Sequence, residues 1–301
     1  MTAYLLKKFY TLHRTKNILY NNEVQTQKKV ILITGGRGGI GKALAERLLG
    51  TTKEDKNIKH EVIVIQVDKE EFPESDLSQQ KAQTATKFSY QADLSDPDQI
   101  YQLVKDVSLD HPKIDVLVNN AGIGVYKDIS ELSLEEWQKS LDVNVTAPFL
   151  LTKLFLNNMI GKSTESDLGI NTLTDFGEEG TQTQKEKPLI LNVGSGCGEY
   201  GVAGRSAYCA SKFALRGLSL SLYQELAPRV NVIYLALGSV ATNFGDHSSQ
   251  EKLNSEKKHY LSTREVADFI CREIIFKSPE NLPPEIELFP QGYLETLGQH
   301  P

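Results

Sequence analysis

The sequence predicts an α/β fold built on one doubly wound, mostly parallel sheet. Short apolar runs rich in β-branched residues alternate with segments of helical spacing over about 260 of the 301 residues. A glycine-rich loop joins the first of these strands directly to the first helix. The chain contains neither an internal repeat nor a Pro/Gly-rich linker, so we expect a single domain with helices on both faces of the sheet.

The first half of the predicted sheet begins with KKVILIT at 28–34, an apolar run of the kind found in strands buried on both faces. IGKALAERLLG at 40–50 places its apolar residues at helical spacing and ends in glycine, which predicts the first helix. EVIVIQV at 61–67 repeats the buried-strand pattern. A weaker run at 87–93 and a clearer one at 114–120 predict the next two strands.

The second half of the chain continues the alternation. Residues 133–159 are predicted to form one long helix, because the segment opens with a serine followed three residues later by glutamate, a capping box. PLILNV at 188–193 predicts a strand, and 205–227 a helix with one apolar face. The last elements are predicted as a strand at 229–237, a helix at 262–276 and a strand at 284–289.

Two segments fall outside this pattern. Residues 1–27 form a basic N-terminal extension, whose first 22 residues carry Lys and Arg but no acid, interleaved with apolar side chains. This composition favours a mitochondrial targeting segment, and the alternative is a basic surface arm on a cytoplasmic protein. The domain at 28–301 contains a long polar insertion at 160–187, expected to be a surface excursion or a partner-binding element.

The composition excludes several classes of function. The net charge of −6 gives no indication of nucleic-acid binding. No run of eighteen apolar residues exists, so no membrane span is expected. The three cysteines form no CxxC pair, which suits a reducing compartment. The six histidines show no ligand spacing, and no metal site is expected.

The loop TGGRGGIG follows the first predicted strand and opens the first helix. Gly35, Gly39 and Gly41 stand where the backbone must turn tightly and approach a ligand, with Arg37 and Ile40 between them. Unpaired N–H groups at the start of a helix favour a pyrophosphate. The loop therefore predicts a dinucleotide site in a Rossmann-type sheet, and the alternative is a glycine-rich turn without a ligand.

Asp68 closes the second predicted strand, where a carboxylate accepts hydrogen bonds from ribose hydroxyls. It lies 33 residues after Gly35, further than usual, because 51–60 lengthens the connection. A carboxylate there repels a 2′-phosphate, so NAD is the expected cofactor. Arg37 and Lys69 favour NADP instead, since each could pair with that phosphate. The alternative for Asp68 itself is a solvated charge at a strand end.

Three residues predict the chemistry. Tyr208 and Lys212 are four residues apart in a predicted helix, so their side chains lie on one face about 6 Å apart along the axis. A lysine cation stabilises a phenolate and lowers the tyrosine pKa, which would let Tyr208 exchange a proton with an alcohol or ketone. Ser195 follows the fifth strand at the ligand-binding edge, where its hydroxyl could hold the same substrate oxygen.

These ordered motifs resemble the short-chain dehydrogenase/reductase family over about residues 28–290. The resemblance implies that Asn144, in LDVNVTAPF, is a fourth catalytic residue, holding a water that relays protons through the lysine. The further cofactor contacts that it implies are Asp93, Leu94, Asn120, Ala121, Gly122, Tyr208, Lys212, Val240 and Thr242. Leu237-Gly238 replaces the family's usual Pro-Gly, which leaves the placement of the nicotinamide less defined.

The resemblance also implies a function. We expect an oxidoreductase that transfers a hydride between NAD, or NADP, and a small-molecule carbonyl/alcohol substrate. The resemblance implies a homodimer or homotetramer that pairs through the helices at 133–159 and 205–227. The segment between Thr242 and Thr263, where the family places its substrate lid, is polar and favours a small or polar substrate. The alternative is a non-catalytic nucleotide-binding relative that serves as a scaffold, with 1–27 or 160–187 as its contact surface.

Overall fold

The computed structural model describes residues 8–10, 28–50, 61–73, 81–82, 85–161, 186–244, 260–277 and 282–290. Its strands are β1 Lys8–Tyr10, β2 Lys29–Thr34, β3 Val62–Asp68, β4 Lys81–Ala82, β5 Ala85–Gln91, β6 Val116–Asn119, β7 Leu189–Val193, β8 Asn231–Leu237, β9 Val240–Ala241, β10 Leu261–Ser262 and β11 Glu285–Leu288. Its α-helices are α1 Gly39–Leu48, α2 Pro97–Asp110, α3 Leu134–Leu141, α4 Ala147–Ile160, α5 Ser206–Leu226 and α6 Thr263–Phe269. π-helical turns span Asp142–Thr146 and Ile270–Ile275, and a 3₁₀ turn spans Gly196–Gly198.

The main sheet has the strand order β1-β11-β8-β7-β6-β2-β3-β5-β4, and β9 pairs separately with β10. Every pair in the main sheet is parallel except β4 with β5. From β2 the chain moves outward through β3 to β5 and then returns to β6 on the other side of β2. The loops after β2 and β6 therefore diverge, which opens a crevice at the carboxyl edge of the sheet. The doubly wound fold predicted from the sequence is confirmed.

Two apolar cores fill the space between the sheet and its helices. One lies under α1, α6 and the second π turn, and includes Ile270. The other lies under α2, α4 and the end of α5, and includes Phe155. Side chains alternate between them along β2, where Ile31 and Ile33 belong to the first core and Leu32 to the second. Both faces of the sheet are covered, which explains the nearly continuous apolar runs of its strands.

Helix α2 is an element that the sequence analysis does not predict. Its start has clear local signals, because the Asp96 side chain accepts a hydrogen bond from the N–H of Asp98 and Pro97 occupies the first helical position. Ile100, Leu103 and Val107 form its buried face. The apolar residues are sparse and separated by charged ones, so the periodicity is weaker than in the other helices.

The helix predicted over 133–159 is interrupted in the structure. The capping box is present, with Ser133 and Glu136 bonded to each other's backbone N–H groups. A π-helical turn at Asp142–Thr146 then separates α3 from α4. One extra residue in a turn hardly changes the apolar pattern, so the sequence does not reveal it. The turn carries Asn144, as π turns often do at functional sites.

The sheet begins earlier in the chain than the sequence predicts. Its first strand is expected at Lys28, but in the structure β1 pairs with β11 at the sheet edge, with Lys8 opposite Ile286. The rest of the extension at 1–27 lies outside the described residues. So do the link at 51–60 and most of the insertion at 160–187. Within the described part of the chain, no helix is long and apolar enough to cross a membrane.

Candidate active site

A cavity of about 790 Å³ opens at the carboxyl ends of β2, β3, β6, β7 and β8. It brings together residues that are far apart in the sequence, as expected for a sheet whose strand order reverses at this point. All the predicted site residues line it except Gly41 and Asn144. Those lining it are Gly35, Arg37, Gly39, Ile40, Asp68, Asp93, Leu94, Asn120, Ala121, Gly122, Ser195, Tyr208, Lys212, Val240 and Thr242.

The glycine-rich loop fits a pyrophosphate because the backbone itself forms its surface. Gly35 has a φ of 66°, a conformation that side chains rarely adopt. A Cβ at Gly39 would lie 2.6 Å from the Thr242 Cγ2 atom, so the loop packs directly against the 240–242 segment. A Cβ at Gly41 would overlap the carbonyl oxygen of Gly35. Gly41 is thus needed for close packing of α1 against the loop and does not line the cavity, contrary to the expected contact.

Asp68 is held at the end of β3 by main-chain donors. Its Oδ2 accepts a hydrogen bond of 3.0 Å from the N–H of Arg37, and its Oδ1 accepts one of 3.2 Å from Glu70. The two nearby cations have other neighbours: the Arg37 guanidinium lies 6.0 Å from the Phe72 ring centroid, and the Lys69 ammonium lies 3.9 Å from the Glu70 carboxylate. The carboxylate is therefore fixed in the cavity, while both cations have competing contacts.

The next predicted cofactor contacts along the cavity are Asp93 and Leu94. One Asp93 oxygen accepts hydrogen bonds from the Ser95 hydroxyl at 2.7 Å and from the Ser95 N–H at 2.9 Å. These bonds keep the pKa of Asp93 below its usual value, so the group stays ionised. Leu94 is buried beside it. A carboxylate next to an apolar wall suits the amino edge and the face of an adenine ring.

The segment Asn119–Gly122 fixes the floor of the cavity. The Asn120 side chain donates a hydrogen bond of 2.8 Å to the carbonyl oxygen of Thr34. The Thr34 hydroxyl in turn accepts bonds of 3.0 Å from the N–H groups of Asn120 and Ala121. Thr34 ends β2 and Asn120 follows β6, so these bonds hold the two diverging loops at a set distance.

The serine, tyrosine and lysine converge as predicted. Tyr208 and Lys212 are both buried on α5 and both line the cavity. The Lys212 ammonium lies 5.8 Å from the Tyr208 ring centroid and donates a hydrogen bond of 3.0 Å to the carbonyl oxygen of Val193, which fixes it. The Ser195 hydroxyl is hydrogen-bonded to Tyr208. One substrate oxygen can therefore meet both hydroxyl groups at once.

The ionisation of this pair differs from the sequence expectation. Burial raises the pKa of Tyr208 well above its ordinary value, Tyr126 adds to the rise, and the hydrogen bond with Ser195 opposes it. Burial lowers the pKa of Lys212 to about 8. The expected fall in the tyrosine pKa is therefore not produced by the protein's own groups, because burial of the phenol is the largest influence on it. At neutral pH, Tyr208 holds its proton and Lys212 is mostly charged.

Asn144 lies behind the cavity wall and is fully buried. Its Oδ1 accepts a hydrogen bond of 2.9 Å from the N–H of Ile123, and its Nδ2 donates to the Ile123 carbonyl at 3.0 Å and to the Ser211 hydroxyl at 2.9 Å. A Cβ on Gly122 would lie 3.1 Å from Asn144 Oδ1 and 3.6 Å from the Lys212 ammonium. Asn144 therefore positions the Gly122–Ile123 backbone beside the lysine.

The glycine-rich serine loop is explained by Tyr234, a fully buried residue of β8 that sequence reasoning missed. Its hydroxyl accepts a hydrogen bond of 3.3 Å from the N–H of Ser195 and donates one of 3.3 Å to the Ser195 carbonyl oxygen. A Cβ at Gly194 would overlap the Tyr234 ring, and one at Gly198 would overlap its hydroxyl. The glycines leave room for a tyrosine that holds Ser195 in place.

Replacing Tyr234 by phenylalanine is expected to lower turnover about tenfold without changing dinucleotide affinity. The ring still fills the space beside the glycines, but Ser195 loses two backbone hydrogen bonds, each typically about 0.5–1.5 kcal/mol. Steady-state kinetics and a dinucleotide titration are the measurements. Tyr223→Phe, a partly buried tyrosine of the second core, is the control and should behave as wild type. Unchanged turnover in Tyr234→Phe would show that Ser195 needs no such support.

Four further residues line the cavity beside Tyr208, and the sequence analysis assigns them no role: Tyr126, Cys197, Arg205 and Phe244. The rings of Tyr126 and Phe244 contact Tyr208 at centroid distances of 5.8 and 5.7 Å. The Arg205 guanidinium lies 4.5 Å from the Tyr126 ring centroid.

The Leu237-Gly238 pair keeps its loop in place without the family's proline. Leu237 is buried as the last residue of β8, and the N–H of Gly238 donates a hydrogen bond of 2.9 Å to the Leu288 carbonyl oxygen. A Cβ at Gly238 would lie 2.5 Å from the Pro290 Cδ atom. The following residues, Val240 and Thr242, therefore reach the cavity from a loop that β11 and Pro290 restrain.

Comparison with known proteins agrees with this geometry. The model of the short chain dehydrogenase family matches residues 29–253. The chain belongs to this family. The match includes the glycine loop and all four predicted catalytic residues, so the resemblance seen in the motifs is confirmed. Among the described residues, no group of three or more His, Cys, Asp or Glu side chains could hold a metal ion.

Individual members of the family are only moderately similar. A 3-oxoacyl-(acyl-carrier-protein) reductase FabG of Buchnera aphidicola is 26% identical in an alignment of 246 residues that covers 79% of this chain and 83% of that protein. A metagenomic short-chain oxidoreductase solved in complex with NADP is 25% identical, with a TM-score of 0.63 over 87% of this chain and 96% of the other. A 4-hydroxyisoleucine dehydrogenase solved with NADH is 22% identical, with a TM-score of 0.66 over 89% and 99%.

Proposed function

We propose that the protein is a nicotinamide-dependent oxidoreductase that interconverts a small carbonyl compound and its alcohol. The observation that carries the proposal is the convergence of Ser195, Tyr208 and Lys212 on the same cavity as the glycine loop. A bound nicotinamide supplies or accepts the hydride. The family relatives, which are reductases and dehydrogenases, support this chemistry.

The chain's own residues handle the substrate oxygen and its proton. The Ser195 and Tyr208 hydroxyls bind that oxygen together, and Tyr208, which holds its proton at neutral pH, donates it when a carbonyl is reduced. In the reverse direction Tyr208 must first lose its proton to solvent; the phenolate then accepts the alcohol proton, and the charge of Lys212 stabilises that phenolate. Asn144 holds the backbone next to the lysine, and Tyr234 holds Ser195.

The residues at the end of β3 indicate which of the two cofactors the protein prefers. The relatives solved with NADP and with NADH support a nicotinamide dinucleotide without deciding between the two. Asp68, fixed by backbone donors, is placed to accept hydrogen bonds from a ribose diol and to repel a 2′-phosphate. Because Arg37 and Lys69 contact Phe72 and Glu70, we propose NAD as the preferred cofactor.

The proposal is tested with purified protein, NAD and NADP in both redox states, and a panel of small carbonyl compounds and alcohols, followed at the absorbance of the reduced nicotinamide. Turnover of at least one pair is expected. The competing function is a non-catalytic relative that binds nucleotide as a scaffold. Dinucleotide binding without turnover of any compound, even with partner proteins added, would favour that function instead.

We also propose that subunits pair through the long helices. Phe149 of α4 and Phe213 of α5 remain 43% and 42% exposed in the single chain, and a partner subunit on these helices would bury both side chains. Phe149→Glu with Phe213→Glu is expected to reduce the mass observed by analytical ultracentrifugation to that of one subunit. Leu109→Glu, an exposed leucine of α2, is the control. A wild-type protein that sediments as one subunit would contradict the pairing.

A further inference from the structure

We infer that Arg205 forms a subsite for a carboxylate, so that the substrate is a short oxo acid or the corresponding hydroxy acid. This inference rests on the proposed oxidoreductase function and adds the class of its substrate. Three observations support it: Arg205 lines the cavity, no carboxylate among the described residues pairs with it, and its guanidinium contacts the ring that packs against Tyr208.

Arg205 is fixed next to the reacting groups. It is half-buried, lines the cavity, and places its guanidinium carbon 4.5 Å from the Tyr126 ring centroid. The Tyr126 ring packs edge-on against Tyr208 at 5.8 Å. A guanidinium stacked on an aromatic ring keeps its edge free to donate two parallel hydrogen bonds, the geometry that a carboxylate accepts.

No carboxylate among the described residues pairs with this cation. The Arg205 side chain contacts the Tyr126 ring, hydrogen-bonds to Cys197 and lies near Tyr208, and none of these residues is an aspartate or a glutamate. Two other arginines show the contrast: Arg47 binds Asp268 at 2.5 Å, and Arg216 binds both oxygens of Glu285 at 2.5 and 3.0 Å. A half-buried cation without an anion costs free energy that a bound carboxylate recovers.

Arg205 does not serve to cap its helix. Arg205 is the N-cap residue of α5, and its side chain makes no capping bond. A cation at this end of a helix opposes the helix dipole, where a serine or aspartate would stabilise the helix. The residue type is thus unfavourable for the fold at this position, as expected for a side chain that serves a ligand.

The position of Arg205 also limits the size of the substrate. Its guanidinium carbon lies 4.5 Å from the Tyr126 ring centroid, and that ring lies 5.8 Å from the Tyr208 ring. A carboxylate on Arg205 and a carbonyl oxygen on Tyr208 would therefore belong to one short molecule. The rings of Tyr126 and Phe244 also line the cavity and suit a short apolar chain. The class that fits is a short-chain oxo acid, and a long acyl chain carrying no charge near the carbonyl does not fit.

Binding without turnover is the decisive measurement. Protein loaded with NADH is titrated calorimetrically with short 2-, 3- and 4-hydroxy acids and with their methyl esters, which cannot react with the reduced cofactor. We expect wild type to bind at least one acid about tenfold to a hundredfold more tightly than its ester, as loss of a hydrogen-bonded charge predicts. Arg205→Met, which keeps the bulk over Tyr126, should bind the two equally, and Arg205→Lys should lie between.

Lys105→Met is the matched control, because Lys105 is an exposed cation of α2 outside the cavity, and it should retain the full preference. Equal binding of acids and esters by wild type, no binding of the acids, or a preference that survives in Arg205→Met would overturn the inference. The proposed function is judged separately by turnover of the oxo acids and their esters. Equal turnover of both supports the function and contradicts the subsite, whereas Arg205-dependent binding without turnover supports the subsite alone.

Discussion

Replacing Tyr208 by phenylalanine is expected to lower turnover by about 10²–10⁴-fold while leaving dinucleotide affinity nearly unchanged. The phenol is the group in the cavity that meets the substrate oxygen and carries a proton, and phenylalanine has no replacement for it. The ring itself stays packed between Tyr126 and Phe244, at 5.8 and 5.7 Å, so the shape of the site is kept. Steady-state kinetics beside a dinucleotide titration separate the two effects.

Tyr223→Phe is the control, because it removes a phenol from a partly buried tyrosine of the second core that does not line the cavity. Its turnover should remain within a few-fold of wild type. A Tyr208→Phe variant with that level of activity would show that Tyr208 is not a catalytic residue. Loss of dinucleotide binding in the same variant would mean that it disturbs the site as a whole.

The pH dependence of wild type should differ between the two directions. Burial raises the pKa of Tyr208, so the protonated acid that reduction needs persists above pH 7, and the rate of reduction falls only at alkaline pH. Oxidation needs the phenolate, so the rate of oxidation should rise with pH. The pKa of Lys212 is about 8, so above pH 8 the rise should become less steep, because the phenolate loses the nearby charge that stabilises it.

Much of this protein could be predicted from local sequence patterns. The strands lie buried on both faces, so each is a continuous apolar run whose type and position are clear. The glycine loop was predictable because Gly35, with its positive φ, and Gly41, whose Cβ would overlap Gly35, satisfy backbone constraints that few other residues meet. Ser195 comes shortly after the end of a strand, and Tyr208 and Lys212 are about one turn apart in a helix. Both relations predict reliably where the side chains lie.

The features that escaped prediction depend on contacts between distant segments. Tyr234 holds Ser195 across 39 residues, and from the sequence it is one apolar position in a buried strand. Arg205 has no distinguishing neighbours in the chain, and only its stacking on Tyr126 shows that it faces the cavity. The pKa of Tyr208 moved opposite to expectation because spacing reveals a charge nearby but not the extent of burial.

Asp68 is expected to set the choice between NAD and NADP. A carboxylate accepts two hydrogen bonds from a ribose diol, and beside a 2′-phosphate it places like charges within a few ångströms. Asp68→Ala, which removes the carboxylate, should lower kcat/KM with NAD and raise it with NADP. The ratio of the two values should shift by a factor that corresponds to roughly 1–3 kcal/mol. Any loosening of the glycine loop from loss of the 3.0 Å bond to Arg37 affects both cofactors and cancels in the ratio.

Asp68→Asn isolates the charge, because it keeps an acceptor oxygen for the Arg37 N–H and for the ribose. It should recover part of the NAD affinity lost in Asp68→Ala while still admitting NADP. Glu71→Ala is the control, since Glu71 is an exposed carboxylate close to the end of β3 that does not line the cavity, and the ratio should stay at the wild-type value. A wild-type preference for NADP of about tenfold, or 1.4 kcal/mol, would show that Arg37 and Lys69 turn toward the ribose and outweigh Asp68.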